Sequence, residues 1–208
     1  MNFNGFHKSD FDVFKVDGLD ARMTEIREKI QPKFRAISEI LLPELMIETE
    51  QEIFLHVAKH LRRKVNPPVD TWSAYCLNKR GYKAHPHFQV GLFDDRAFVW
   101  LAFMKDMPNK RNVMNTFLNY FDEFESTIPE EYVISFNHHK RDAKVVGELT
   151  ESELRSNLLH VRDNVRLDLL IGKHLFVGTD QLENPAIFMR EVRETFMQLM
   201  PIYKMAFT

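Results

Sequence analysis

The segment from Arg96 to Met104, RAFVWLAFM, is apolar at alternate positions on both of its faces: Phe98, Trp100 and Ala102 on one, Val99, Leu101 and Phe103 on the other. A strand with two apolar faces has to be an inner strand covered on both sides. Just before it, Pro86 to Phe93 alternates as well, and Asp94-Asp95 is short enough to join the two in a tight antiparallel hairpin. The chain must therefore supply further strands to flank this hairpin and further layers to cover it.

Those layers are visible on either side. Between Asp17 and Ile47, Leu19, Met23, Ile26, Ile30, Phe34, Ile37, Leu41 and Leu45 recur at spacings of three and four, which predicts an amphipathic helix capped by Asp17 and kinked or divided at Pro32. A short turn, Ser9 to Phe14, is expected to pack Phe11 and Phe14 onto it. From Glu52 the period becomes two: Ile53, Leu55 and Val57 point one way, and Phe54, His56, Ala58 and His60 the other. A second strand is expected near Thr71 to Leu77. Asn109 to Glu125 predicts a helix, Glu131 to Asn137 a strand, and Asn137 to Arg141 a polar loop. Thr150 and Glu153 form a capping box for the next helix. Leu169 to Val177 is a strand candidate, and Asn184-Pro185 opens a final helix that should close near Pro201. No linker, repeat or low-complexity segment interrupts the 208 residues, so a single domain over 1–208 is expected. The order of elements points to an α+β two-layer sandwich: a mostly antiparallel sheet with helices packed mainly on one face.

Charge is segregated along this chain. Lys59 to His87 carries Lys59, Arg62, Arg63, Lys64, Lys79, Arg80 and Lys83 against one acid, Asp70, while the whole chain has a net charge of −2. Segregation of this kind marks a surface that meets an anion. His56, His60, His85 and His87 lie in or beside the same stretch, among Trp72, Tyr75, Tyr82 and Phe88. No apolar run approaches the ~20 residues of a membrane span, and the start MNFNGFHKSDFD lacks the pattern of a secretory signal. The expectation is a cytoplasmic protein without membrane association, and a monomer. The single cysteine, Cys76, sits among Trp72, Ala74 and Leu77 and reads as a small buried hydrophobe.

Several strings together resemble one family: GFHKSDFDVF at 5–14, DGLDARM at 17–23, HVAKHLRRKVNPPVDTW at 56–72, KRGYKAHPHFQVGLFDD at 79–95 and LMPIY at 199–203. They look like the YktB-like family of uncharacterised Gram-positive bacterial proteins, with Leu61 standing where that family often has a small residue. The resemblance spans nearly the whole chain and implies a compact α+β domain in the cytosol. It implies no reaction, so no catalytic residue is carried over from it.

Three chemistries compete for the basic stretch. Metal binding would use His85, His87 and Gln89 with His56 and His60. Without an HExxH or CxxC motif, and with few carboxylates nearby to orient the imidazoles, no metal and no cofactor is expected. General acid-base catalysis would use His60 or His87 as proton carrier, oriented by Asp70 or Asp95, in a hydrolytic enzyme. No GxSxG, GxGxxG or GKS string supports a nucleophile elbow or a phosphate loop. Isolated Gly81 fits the KRGYK turn, and isolated Gly91 a strand bulge or a close approach. The preferred reading is a binding module for a small phosphorylated or carboxylated ligand, or a short nucleic-acid segment. His60, Arg62, Arg63, Arg80, Lys83, His87 and Gln89 are its candidate ligand-binding residues. Aromatic neighbours admit base stacking, but with no RNP, KH or helix-turn-helix signature nucleic acid is the lesser option, and a protein-interaction module a further one. The outer faces of Phe54 to His60 and Pro86 to Phe93 are expected to line one polar groove. Arg80 is expected to aim across the sheet edge, the structural alternative being a pairing with Asp70 or Asp95.

Overall fold

A computed structural model describes residues 3–208. It opens with helix α1 (Lys8–Phe11), a 3-10 turn at Asp12–Lys15, and α2 (Leu19–Glu25), which runs through a π-helical turn at Ile26–Ile30 into α3 (Gln31–Thr49). The cap is Gly18 at φ +83°, not Asp17. Pro32 neither kinks the helix apart nor ends it. It sits in the first turn of α3, where its missing N–H is absorbed by the wider turn just before it.

Strands β1 (Phe54–Val57), β2 (Thr71–Cys76), β3 (His87–Leu92) and β4 (Arg96–Phe103) follow, then α4 (Lys110–Asn119), α5 (Phe121–Thr127), β5 (Val133–Ser135), β6 (Lys144–Val145), α6 (Glu151–Asp163), β7 (Leu169–Phe176), α7 (Asp180–Glu183) and α8 (Pro185–Met205). One seven-stranded sheet has the order β1-β2-β3-β4-β7-β5-β6, with every adjacent pair antiparallel. The fold is α+β. The helix expected over Asn109 to Glu125 breaks at Tyr120, whose φ of −111° and ψ of 43° are not helical. The last helix runs past Pro201 to Met205. One lost backbone donor is outweighed by the burial of Leu199, Met200, Ile202, Tyr203 and Met205 on the same helix.

The inner strand predicted from RAFVWLAFM is β4, paired in full with β3 and β7. Its Val99, Leu101 and Phe103 join Phe88, Val90, Leu169 and Ile171 in a large core closed by Phe34, Ile37, Leu41, Phe188 and Phe196 of the helices. Its other face carries a smaller buried cluster of Phe98, Trp100 and Ala102 with Trp72, Ala74 and Leu170, closed by loop residues Ala58, Phe93 and Met104. Helices thus cover one face and loops the other. Gly91 allows a close approach: a Cβ there would lie 2.2 Å from the Phe98 ring and 2.7 Å from the Thr71 carbonyl oxygen. Cys76 is fully buried, and burial pushes its thiol up.

Candidate functional site

The loops that cover the helix-free face meet over that face: the β1–β2 loop enters from one end of the sheet, and the loops after β2, β4 and β5 enter from the other. The first, following β1, is short of its expected strand: pairing stops at Val57, and His60 adopts a left-handed φ of +51°. Arg22 holds this loop from beneath, its guanidinium donating to the Pro68 carbonyl at 2.9 Å. The second loop joins β2 to β3 and is shaped by Asn78, whose Oδ1 accepts from the backbone N–H groups of Arg80 and Gly81 at 2.8 and 3.1 Å. Trp72 Nε1 donates to the Tyr82 hydroxyl at 3.0 Å and draws this loop down onto the sheet.

The third and fourth segments meet through Asp168. This carboxylate, 1% exposed at the start of β7, accepts the Lys105 N–H on Oδ1 at 2.8 Å and the His138 N–H on Oδ2 at 3.0 Å. His138 Nδ1 lies 2.7 Å from the same Oδ2. Burial alone would raise the Asp168 carboxyl, but hydrogen bonding to His138 and to these backbone groups outweighs it and leaves the group below its ordinary range. Burial lowers His138, so the pair consists of an ionised carboxylate and a neutral imidazole donating from Nδ1. Among the described residues its buried Nε2 has no partner.

A cleft in two joined lobes results. The larger, about 1000 Å³, is lined by Arg35, His56, Lys79, Arg80 and His85, among others. The smaller, about 550 Å³, is lined by His60, Arg63, Trp72, Lys105, His138 and His139. Lys59, Arg62, Tyr82, Lys83 and Asp106 belong to both lobes. Among the described residues Asp106 is the one acid along either wall, so the lining is strongly cationic. Among the described residues the guanidiniums of Arg62 and Arg80 make no ion pair. Lys83 lies over the Trp72 ring at 5.6 Å, and burial lowers its ammonium.

Of the seven residues singled out by sequence, five line this cleft: His60, Arg62, Arg63, Arg80 and Lys83. Neither Asp70 nor Asp95 pairs with Arg80: the first meets His139 and Arg63, the second Arg96 and Arg141. His87 and Gln89 share the face of His56 but do not reach the cleft. The Tyr82 ring lies 5.0 Å from that of His87, and His87 and Gln89 are both buried. His87 Nδ1 bonds the His85 carbonyl at 2.8 Å, its Nε2 meets Gln89 at 2.8 Å, and burial drives its pKa to about 3. Both ring nitrogens are engaged, which leaves no site for proton transfer there. His60 is pushed to about 4 by burial, with Asp70 opposing, and so is neutral at neutral pH.

Sequence reading missed His138 and His139. They arrive from the polar loop after β5 and pack ring to ring at 3.8 Å, around the same Trp72 that His60 touches. The one local signal was a tandem histidine in a loop too short to need two. Among the described residues no group of three or more His, Cys, Asp or Glu is arranged to hold a metal ion, and no helix is long and apolar enough to cross a membrane.

Residues 6–203 match the family model described as "Domain of unknown function (DUF1054)". The chain is 45% identical over 208 residues to the UPF0637 protein ABC2405 of Shouchella clausii, covering 100% of this chain and 97% of that one. It is 45% identical over 203 residues to the UPF0637 protein OB1420 of Oceanobacillus iheyensis, covering 98% and 97%. To the UPF0637 protein lmo1065 of Listeria monocytogenes it is 40% identical over 206 residues, covering 99% of each. These matches agree with the YktB-like resemblance.

Proposed function

The chain belongs to the DUF1054 family, and on that premise we propose that it is a binding module for a small phosphorylated ligand held in the two-lobed cleft. The observation that carries this reading is the composition of the wall: Lys59, Arg62 and Lys83 in the shared middle, Arg80 and Lys79 beyond on one side, Arg63 and Lys105 on the other, against Asp106 alone. Cations spread along a cleft suit an anion with more than one charged group, and planar guanidiniums without an internal partner are free to take phosphate oxygens in pairs. A volume of several hundred Å³ is the size of a nucleotide-scale ligand site. Trp72 and Tyr82 supply ring surface beside the charges.

The test is a melting-temperature screen with inorganic phosphate, pyrophosphate, AMP, a five-nucleotide single strand and divalent metals. A ligand that binds the native state alone stabilises it by RT ln(1 + [L]/Kd). Pyrophosphate is expected to raise the melting temperature, the rise to shrink with added sodium chloride, and Arg62→Ala to remove most of it. If none of the anions shifts the transition, the reading fails. Preference for the five-nucleotide strand over pyrophosphate and AMP would move the ligand to single-stranded nucleic acid.

A further inference from the structure

Asp70 is a buried carboxylate with too few partners. Its side chain is wholly shielded from solvent, its Oδ1 accepts no hydrogen bond among the described residues, and Arg63 stands off at 3.9 Å. The one close group is His139, whose Nδ1 is 2.9 Å from Oδ2. A carboxylate can only accept, so the His139 ring proton sits on Nδ1 and the lone pair on Nε2. Burying a carboxylate with half its valence unused is costly, and that cost is the mark of a group retained for what it does to its neighbour. His139 itself is 44% exposed and lines the smaller lobe with Lys83. Next to it, His60 holds a left-handed backbone that is unfavourable for a residue with a Cβ, a kind of strain that clusters at functional sites.

We propose that His139, oriented by Asp70, is the general base of a phosphodiester hydrolase whose substrate lies in this cleft, an inference that rests on the anion-binding reading. Nε2 takes a proton from water as the water oxygen forms its bond to phosphorus. The bond from phosphorus to the leaving oxygen breaks, and that oxygen takes a proton from the Lys83 ammonium. His139 returns its proton through solvent to Lys83, so the products are one phosphomonoester and one alcohol and nothing is oxidised or reduced. Arg62 faces the same volume and offsets charge on the non-bridging oxygens. His139 and Lys83 are the catalytic residues, and Asp70 is a positioning residue.

The probe is bis(p-nitrophenyl) phosphate, read as p-nitrophenolate release across pH, with wild-type pyrophosphate binding measured alongside. Wild type is expected to release p-nitrophenolate faster than buffer, with a rate that depends on pH. His139→Gln should lower the rate by about a hundredfold or more, and imidazole added to His139→Gly should restore part of it. Asp70→Asn should shift or flatten the pH limb, which a purely structural carboxylate would leave in place. If Asp70→Asn does not fold, His139→Gln and imidazole rescue decide the matter. Pyrophosphate binding without hydrolysis, or a His139→Gln variant as fast as wild type, overturns the catalytic proposal and leaves the binding module standing. Absence of binding by pyrophosphate and by every other anion of the melting screen overturns both.

Discussion

His60 and His87 differ from His139 in solvation, and this makes their behaviour with pH predictable. Burial holds His60 at about 4 and His87 at about 3, against an ordinary value of 6.5. Below 6.5 the unfolded chain takes up protons that the folded chain refuses, so the stability tied to these groups is complete above 6.5 and is lost as pH falls toward 4. His174, pushed by burial to about 4, acts in the same direction. The melting temperature should therefore fall steadily between pH 7 and pH 4.5, and His87→Gln, which keeps a donor toward His85, should make that fall shallower. A wild-type melting temperature that is flat across this range would contradict the assignment. The basic run was readable as a cluster because its residues are near one another in sequence. The His139–Asp70 pair was not, since its members are 69 residues apart and only the fold brings them within hydrogen-bond reach.

The starts of α6 and α8 were readable and the end of α8 was not, because the two depend on different ranges of interaction. Thr150 and Glu153 satisfy each other's backbone within four residues, with Thr150 Oγ1 accepting the Glu153 N–H at 3.3 Å, so the signal is local and visible. Thr150→Ala should cost about 1 kcal/mol and lower the melting temperature by roughly 2–4 °C, measured by thermal denaturation; a shift below 1 °C would mean that the cap is not limiting. The run of α8 past Pro201 is set instead by the apolar face it buries in the helix-side core, which no propensity reports. The same holds for Gly172, unremarkable in sequence but seated in β7 opposite Trp100. A Cβ there would lie 1.9 Å from the Val99 carbonyl oxygen, a backbone atom that cannot swing aside. Gly172→Ala should destabilise by the order of 3 kcal/mol, seen as a lower denaturant midpoint, and wild-type stability would refute the contact.

A chain with a net charge of −2 presents one concentrated cationic surface because three cation-bearing loops, from 59–63 at one end of the sheet and from 79–83 and 105–106 at the other, fold toward each other over its helix-free face. The composition alone, near neutral, conceals this, and the folding of loops from both ends over one face of the β1-β2-β3-β4 meander creates it. The geometry also separates two ways in which the cleft works. Arg80 lines only the larger lobe and Lys105 only the smaller, and neither side chain has an ion-pair partner among the described residues. If one extended ligand spans both lobes, Arg80→Ala and Lys105→Ala should each weaken binding of a dinucleotide by roughly tenfold, as expected on losing a charged hydrogen bond worth about 1.5 kcal/mol. Inorganic phosphate, too short to span, should respond to at most one of the two. Arg80→Lys tests the guanidinium itself: charge is kept and the planar fork is lost, so a fall in dinucleotide affinity at unchanged melting temperature assigns Arg80 to paired contacts with phosphate oxygens. Titration calorimetry on the three variants with both ligands gives the result directly, and dinucleotide affinity indifferent to Arg80→Ala would confine the ligand to the smaller lobe around Trp72.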